Sequence, residues 1–167
     1  MTPQVTRRER NDTNTLAKPQ RIDRKLFFRA FNRDTRFHDR FAQRAYLDRR
    51  TGDVLWLYEN DEDAVRDGVR AGINEENRAR IECAPEQHLE IPGLDHDDHH
   101  QILRDFLESD WTQDERELDL ARRAYDRSIG GWITAVENDH AVKAYFEYKE
   151  SALQAKAQQF LRDHRLK

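Results

Sequence analysis

Residues 45–58 read AYLDRRTGDVLWLY, two short apolar runs on either side of Asp48-Arg49-Arg50-Thr51-Gly52. An Asp bonds readily to its own backbone and a Gly tolerates φ > 0, so this order of residues predicts a β-hairpin. With 49–52 as the loop, Ala45 faces Trp56, Leu47 faces Val54, and Tyr46 faces Leu55 on the other side. Both faces of the ribbon are then apolar. A two-stranded ribbon is marginal alone in water, so one this apolar has to pack against something, and most of the chain after it reads as helix. The hairpin is therefore the expected seat of the core.

A chain of 167 residues suits a single domain that buries about two-thirds of its unfolded surface. Charged residues are 37% and apolar residues 37%, which predicts a small core under a heavily ionised skin. The net charge of −4 hides an asymmetry: residues 1–50 carry 14 basic and 6 acidic side chains (+8), residues 51–128 carry 9 and 22 (−13), and residues 129–167 carry 6 and 5 (+1). Either the basic front lies against the acidic middle of its own chain, or it meets an anionic partner such as nucleic acid or a membrane surface. Cys83 is the only cysteine, which leaves no intrachain disulfide. No apolar run approaches membrane-spanning length and the N-terminus lacks the apolar core of a signal peptide, so the expected setting is the cytoplasm, away from membranes.

Residues 1–20 are polar and basic and cannot bury enough surface to offset the entropy of ordering, so they read as a mobile tail before one domain at 21–167. Ile22, Leu26, Phe27, Ala30 and Phe31 recur at helical spacing and predict a first helix over 21–32. If that helix runs on to residue 44, Arg29, Arg33, Arg36, Arg40 and Arg44 fall within an arc of about 80° at about 100° per residue. That is a basic ridge. After the hairpin, acids from Glu59 to Asp63 open a helix, Gly72 and Asn74 interrupt the pattern, and a second piece runs from Glu75 to about Cys83, where Pro85 stops it. His88-Leu89-Glu90-Ile91-Pro92 alternates and predicts a short strand at 88–91 beside the hairpin, with the Pro suited to an edge.

Beyond Gly93 the pattern is helical. Residues 95–108 place Ile102, Leu103, Phe106 and Leu107 on one side, and Thr112 with Glu115 has the spacing of a capping box. Leu118, Ala121 and Tyr125 point inward, Gly130-Gly131 breaks or caps that helix, and Trp132, Ile133 and Val136 form a short apolar segment. Val142, Tyr145, Phe146, Leu153, Ala157, Phe160 and Leu161 mark a long last helix. The expected fold is α+β: a small antiparallel sheet, hairpin 43–58 plus strand 88–91, packed by about six helices.

The order YLDRRTGDV, HLEIP, HHQILRDFLES, the Gly130-Gly131 segment and a closing aromatic-rich helix ending FLRDHRL resembles an uncharacterised bacterial family of unknown function, uncharacterised protein family 0158. The resemblance spans about Ile22 to Leu166. Where members of the family carry a Gly-Arg-Gly-Ala-Phe-like segment this chain has Ser128-Ile129-Gly130-Gly131-Trp132, and the family's C-terminal Trp positions are Tyr145 or Phe146 and Phe160 here. The resemblance implies a soluble bacterial protein and supplies no activity.

Chemistry-bearing constellations are few. In His96-Asp97-Asp98-His99-His100, His96 and His100 sit one helical turn apart, the spacing at which two imidazoles share a metal ion; the plainer reading is acids favouring a helix N-terminus. Cys83 beside Glu82 reads as a small buried hydrophobe, because a neighbouring negative charge raises a thiol's pKa. Asp48 reads as a turn cap. No GxSxG, Walker or GxGxxG pattern occurs, and Gly130-Gly131 is too short to cradle a phosphate. Of the three Trp, Trp56 and Trp132 sit in apolar runs, whereas Trp111, between Asp110 and Thr112, is the expected exposed partner-contact residue.

These residues favour a non-catalytic binding or regulatory module that acts through protein contacts, with no cofactor. The alternatives are a nucleic-acid binder using Arg29, Arg33, Arg36, Arg40 and Arg44 with Arg7, Arg8 and Arg10, and a metal-dependent hydrolase at His96 and His100.

Overall fold

The computed structural model describes residues 21–33 and 43–166, and within them the hairpin forms in the expected register. Strand β1 (Gln43–Asp48) pairs antiparallel with β2 (Val54–Tyr58), setting Ala45 opposite Trp56, Tyr46 opposite Leu55 and Leu47 opposite Val54. Strand β3 (His88–Ile91) joins the other side of β1, also antiparallel, to give the order β2-β1-β3. Seven α-helices surround this sheet among the described residues, an α+β fold with one more helix than expected.

The loop is built from the residues that predicted it. Oδ1 of Asp48 accepts from the backbone N–H of Arg50 and Thr51 at 2.8 and 3.2 Å, and Gly52 takes φ +82°. The carbonyl of Gly52 accepts from the N–H of Asp23, so the turn also holds the chain entering α1 (Arg24–Phe31). Asp23 caps that helix by accepting from Leu26 N–H at 3.0 Å.

One face of the sheet, Ala45, Leu47 and Ile91 with Val54, Trp56 and Leu89, packs into the main core against α1, α4 (His96–Leu107) and α7 (Asp139–Asp163). Asp95 and Asp98 form a reciprocal capping box at the start of α4, and Ile102, Leu103, Phe106 and Leu107 are buried as expected. The 25 residues of α7 span about 38 Å. Its Phe160 meets Phe27 and Phe31, each with ring centroids 5.9 Å away. Its Tyr145 stacks edge-on against Phe106 and Trp132, and the Trp132 indole, fully buried in α6 (Ile129–Ala135), donates to the Ala121 carbonyl of α5 (Glu115–Arg123) at 2.8 Å.

Several expectations are corrected. Helix α1 ends at Phe31: Asn32 N–H turns back to the Phe28 and Ala30 carbonyls, and the Arg33 carbonyl accepts from Leu94 N–H, so the chain leaves the helix axis there. Arg44 lies on a strand, so Arg29 and Arg44 do not share one helix and no continuous basic ridge forms among the described residues; Arg36 and Arg40, like the basic tail at residues 1–20, are outside them. Asp114, not Thr112, caps α5, because its Oδ1 reaches both Arg116 and Glu117 N–H. Gly130 and Gly131 neither break nor cap α5, which ends at Arg123; they sit in the first turn of α6, capped by Ser128. Phe146 points outward from α7, and Cys83, at the last residue of α3 (Ile73–Cys83), is exposed. No helix among the described residues is long and apolar enough to cross a membrane.

Candidate functional site

The second face of the sheet and the outer side of β2 are treated differently from the core face. Residues 57–88 contribute none of the side chains of the main core or those packed directly on it. Instead α2 (Asp61–Arg66) and α3 attach to β2 through polar bonds. Trp56 and Tyr58 turn their backbone groups away from β1, and α3 meets them with side chains. Asn74, the one buried residue of α3, accepts from Tyr58 N–H at 2.8 Å. Asn77 donates to the Trp56 carbonyl at 3.0 Å, and Arg78 to the carbonyls of Tyr58 and Glu59, both at 3.3 Å. These side chains stand in for a neighbouring strand and satisfy an edge that otherwise invites pairing.

Because helix and strand are bridged by side chains, they do not close tightly. A groove of about 390 Å³ runs between α1, β2 and the α2–α3 segment. Leu26, Val54, Leu55, Trp56, Val69 and Ile73 make it largely apolar, and Asp23, Asp53 and Arg80 supply its charges. Leu26, 38% exposed, lines the groove on the α1 side, while Phe27 and Phe31 of the same helix are buried. The volume and the mix of apolar wall with a few polar groups fit a binding cleft.

Arg80 is not free to recruit an anion. It reaches Oδ2 of Asp48 at 3.1 Å and Asp53 at 3.8 Å. Asp48 itself is 2% exposed, with His88 Nε2 at 3.7 Å from the same oxygen and His88 Nδ1 donating to the Ala84 carbonyl at 2.8 Å. Burial pushes the Asp48 carboxyl up, but the Arg50 and Thr51 N–H groups, Arg80 and His88 together hold it below the usual carboxylate range. Asp48 caps the turn as expected, and its second oxygen also ties the turn to α3.

The other candidate residues are placed as follows. Trp111 is half-buried rather than exposed: its ring stacks on Phe106 at 5.1 Å, and its indole nitrogen is buried without a hydrogen bond. The greasy surface of Phe106 at the end of α4 draws it in, which a reading of its polar sequence neighbours could not show. Beside it, His140 lies 5.8 Å from the Trp111 ring and 3.0 Å from Glu117 Oε1. Glu117 also accepts from Thr112 at 2.6 Å and Asn138 at 2.8 Å, and these bonds from Thr112, His140 and Asn138 hold its carboxyl down at about 2. This cluster fastens the first turn of α5 to the first turn of α7.

His96 and His100 do share a helix face, with ring centroids 4.2 Å apart, but His100 is buried and its Nδ1 is 2.7 Å from the Tyr125 hydroxyl. Among the described residues no group of three or more His, Cys, Asp or Glu side chains is arranged to hold a metal ion. Arg33 and Arg44 take different partners: Arg33 donates to the Ile91 carbonyl at 3.1 Å, and Arg44 forms a bidentate pair with Glu90 at 2.8 and 2.5 Å.

The groove was missed in the sequence because Asn74 reads as a helix interruption. The available signal was Asn74, Asn77 and Arg78 together on a helix with almost no apolar stripe, since a helix bound by polar side chains has to find its partners in exposed backbone. No family model matches the chain, and neither a curated protein nor a solved structure matches it.

Proposed function

We propose that this protein is a non-catalytic binding module that seats a segment of a protein partner, apolar with a basic side chain, in the groove between α1, β2 and α3. The observation that carries the reading is the groove's composition: among the described residues an apolar floor and walls carry two carboxylates, Asp23 and Asp53, and a single guanidinium, Arg80, whose nearer partner is buried Asp48 at 3.1 Å. Asp23 also caps α1 and Asp53 accepts from the Thr51 hydroxyl at 2.9 Å. Two carboxylates against one guanidinium still leave the rim of this apolar cleft net negative, which favours a cation-bearing apolar segment, and the acidic middle of the chain adds long-range attraction. The polar constellations elsewhere support the same reading, since Asp48, Asn74 and Glu117 are spent on holding turns and helices. A cytoplasmic setting and kinship with uncharacterised protein family 0158 belong to this proposal; neither adds an activity.

Photocrosslinking tests it. A photoreactive phenylalanine at Leu26, in the groove, should give a discrete protein adduct in cells, and the same label at Leu120, exposed on α5 and outside the groove, should not. Raising salt should weaken the Leu26 adduct, because exposed charge pairs are screened over about 8–10 Å. The same adducts from both positions, indifferent to salt, would remove the reading.

A further inference from the structure

The polar attachment of α3 has a consequence for how the groove is reached. Between Glu59 and Gln87 the chain contributes no side chain to the main core, and in α3 the one buried side chain is an amide. Of the apolar residues in this segment Ala64 is buried, Val65 is 52% exposed, and Val69 and Ile73 face the groove rather than a packed interior. Among the described residues its polar hold on the body is made by Asn74, Asn77 and Arg78 on the edge of β2, Arg80 on Asp48 and Asp53, the Tyr58 hydroxyl on Asp67, Gln43 on Asp67 at 3.1 Å and, at its C-terminal boundary, Arg49 N–H donating to the Gln87 carbonyl at 2.8 Å. Each of these can be exchanged for water at little net cost, whereas α1, α4 and α7 cannot leave without exposing Phe27, Phe106 and Tyr145.

We propose that residues 59–87 form a flap that opens from β2 as a unit while the core stays folded, and that this opening regulates access to the groove. Its boundaries are at Glu59-Asn60, where β2 has ended, and at Pro85-Glu86-Gln87, the short 3-10 turn that leads into β3. Opening removes one wall of the groove and frees the outward N–H and C=O groups of Trp56 and Tyr58, the groups by which an added strand is held. The arrangement thus keeps the edge of β2 covered until something competes for it. The regulatory role rests on the groove being the docking site; the opening itself does not.

Native-state hydrogen exchange on the full chain separates the two. In the unliganded protein, the amides of α2 and α3 and the Tyr58 N–H should exchange together, and faster by ~100-fold or more than the protected amides of α4 and α7, as expected for a sub-global opening. Asn74→Ala should speed exchange of the whole 59–87 segment by roughly 10-fold, the equivalent of one lost hydrogen bond, and leave α4 and α7 unchanged. Exchange of α3 at the same rate as α4 and α7, or an Asn74→Ala effect spread over the whole molecule, would overturn the flap. If the flap opens as described but the Leu26 crosslink fails, the docking reading falls and the opening stands.

Discussion

Replacing Gly52 with Ala tests whether the hairpin turn is the clamp on which the N-terminal helix is seated. Three glycines share nearly the same left-handed backbone, Gly52 at φ +82°, Gly68 at +85° and Gly72 at +87°. A Cβ at Gly68 or Gly72 meets nothing within 4 Å, so those substitutions carry only the conformational cost, about 1–2 kcal/mol. A Cβ at Gly52 would lie 2.3 Å from the Arg21 carbonyl oxygen and 2.7 Å from its carbon. Backbone cannot rotate away as a side chain tip does, so residues 21–23 must shift. That shift breaks the Asp23 N–H bond to the Gly52 carbonyl and unseats Ile22, which is buried beside Phe27 in the core. Overpacking of this kind adds about 1–3 kcal/mol, for a total of about 2–5 kcal/mol against about 1–2 for the controls. At about 2–4 °C per kcal/mol for a chain of this size, Gly52→Ala should lower the Tm by roughly 4–20 °C and the other two by about 2–8 °C. Urea unfolding followed by circular dichroism gives the comparison. A Gly52→Ala midpoint equal to those of Gly68→Ala and Gly72→Ala would refute the clamp.

Further outcomes follow from the buried polar groups. Trp132→Phe leaves the Ala121 carbonyl without its donor and a void beside Tyr145, and should cost about 2–4 kcal/mol in denaturant unfolding. The folded-state carboxyl of Asp48 titrates below its unfolded value of about 4, so its contribution is full above about pH 4 and is lost as pH falls through the lower folded value. Asp48→Asn should therefore lower stability at neutral pH and flatten the fall in Tm below pH 4. Glu117, held at about 2 by Thr112, His140 and Asn138, obeys the same sign: its contribution is present above about pH 4 and declines toward about pH 2. Glu117→Gln should flatten that part of the acid unfolding curve.

The parts of the fold legible in the sequence are those set by short-range chemistry. An Asp and a Gly at fixed places in residues 48–52 dictate the turn, and the turn dictates a register in which Ala45, Leu47 and Trp56 share one face. The apolar spacing of α4 and α7 likewise names most of their buried residues, because period and burial coincide there. What the sequence concealed depends on neighbours far along the chain. Trp111 is drawn in by Phe106, the cap of α5 moves from Thr112 to Asp114 because Thr112 turns to Glu117, and Arg29 and Arg44 do not share a helix because α1 ends at Phe31 and Arg44 lies on β1. The groove was the least legible, since its walls come from three segments and its key helix is held by amides that pattern reading treats as breaks.

The most direct test of the docking surface is calorimetric titration of the crosslinked partner, once purified, into variants of this chain that differ by one charge in adjacent turns. Val69 lines the groove and Val65, on the same flap, does not. Val69→Lys should weaken binding by 10-fold or more, about 1.4 kcal/mol, with a Tm within a few degrees of the wild type, and Val65→Lys should leave the affinity unchanged. Equal affinities for the two variants would contradict a partner seated in the groove.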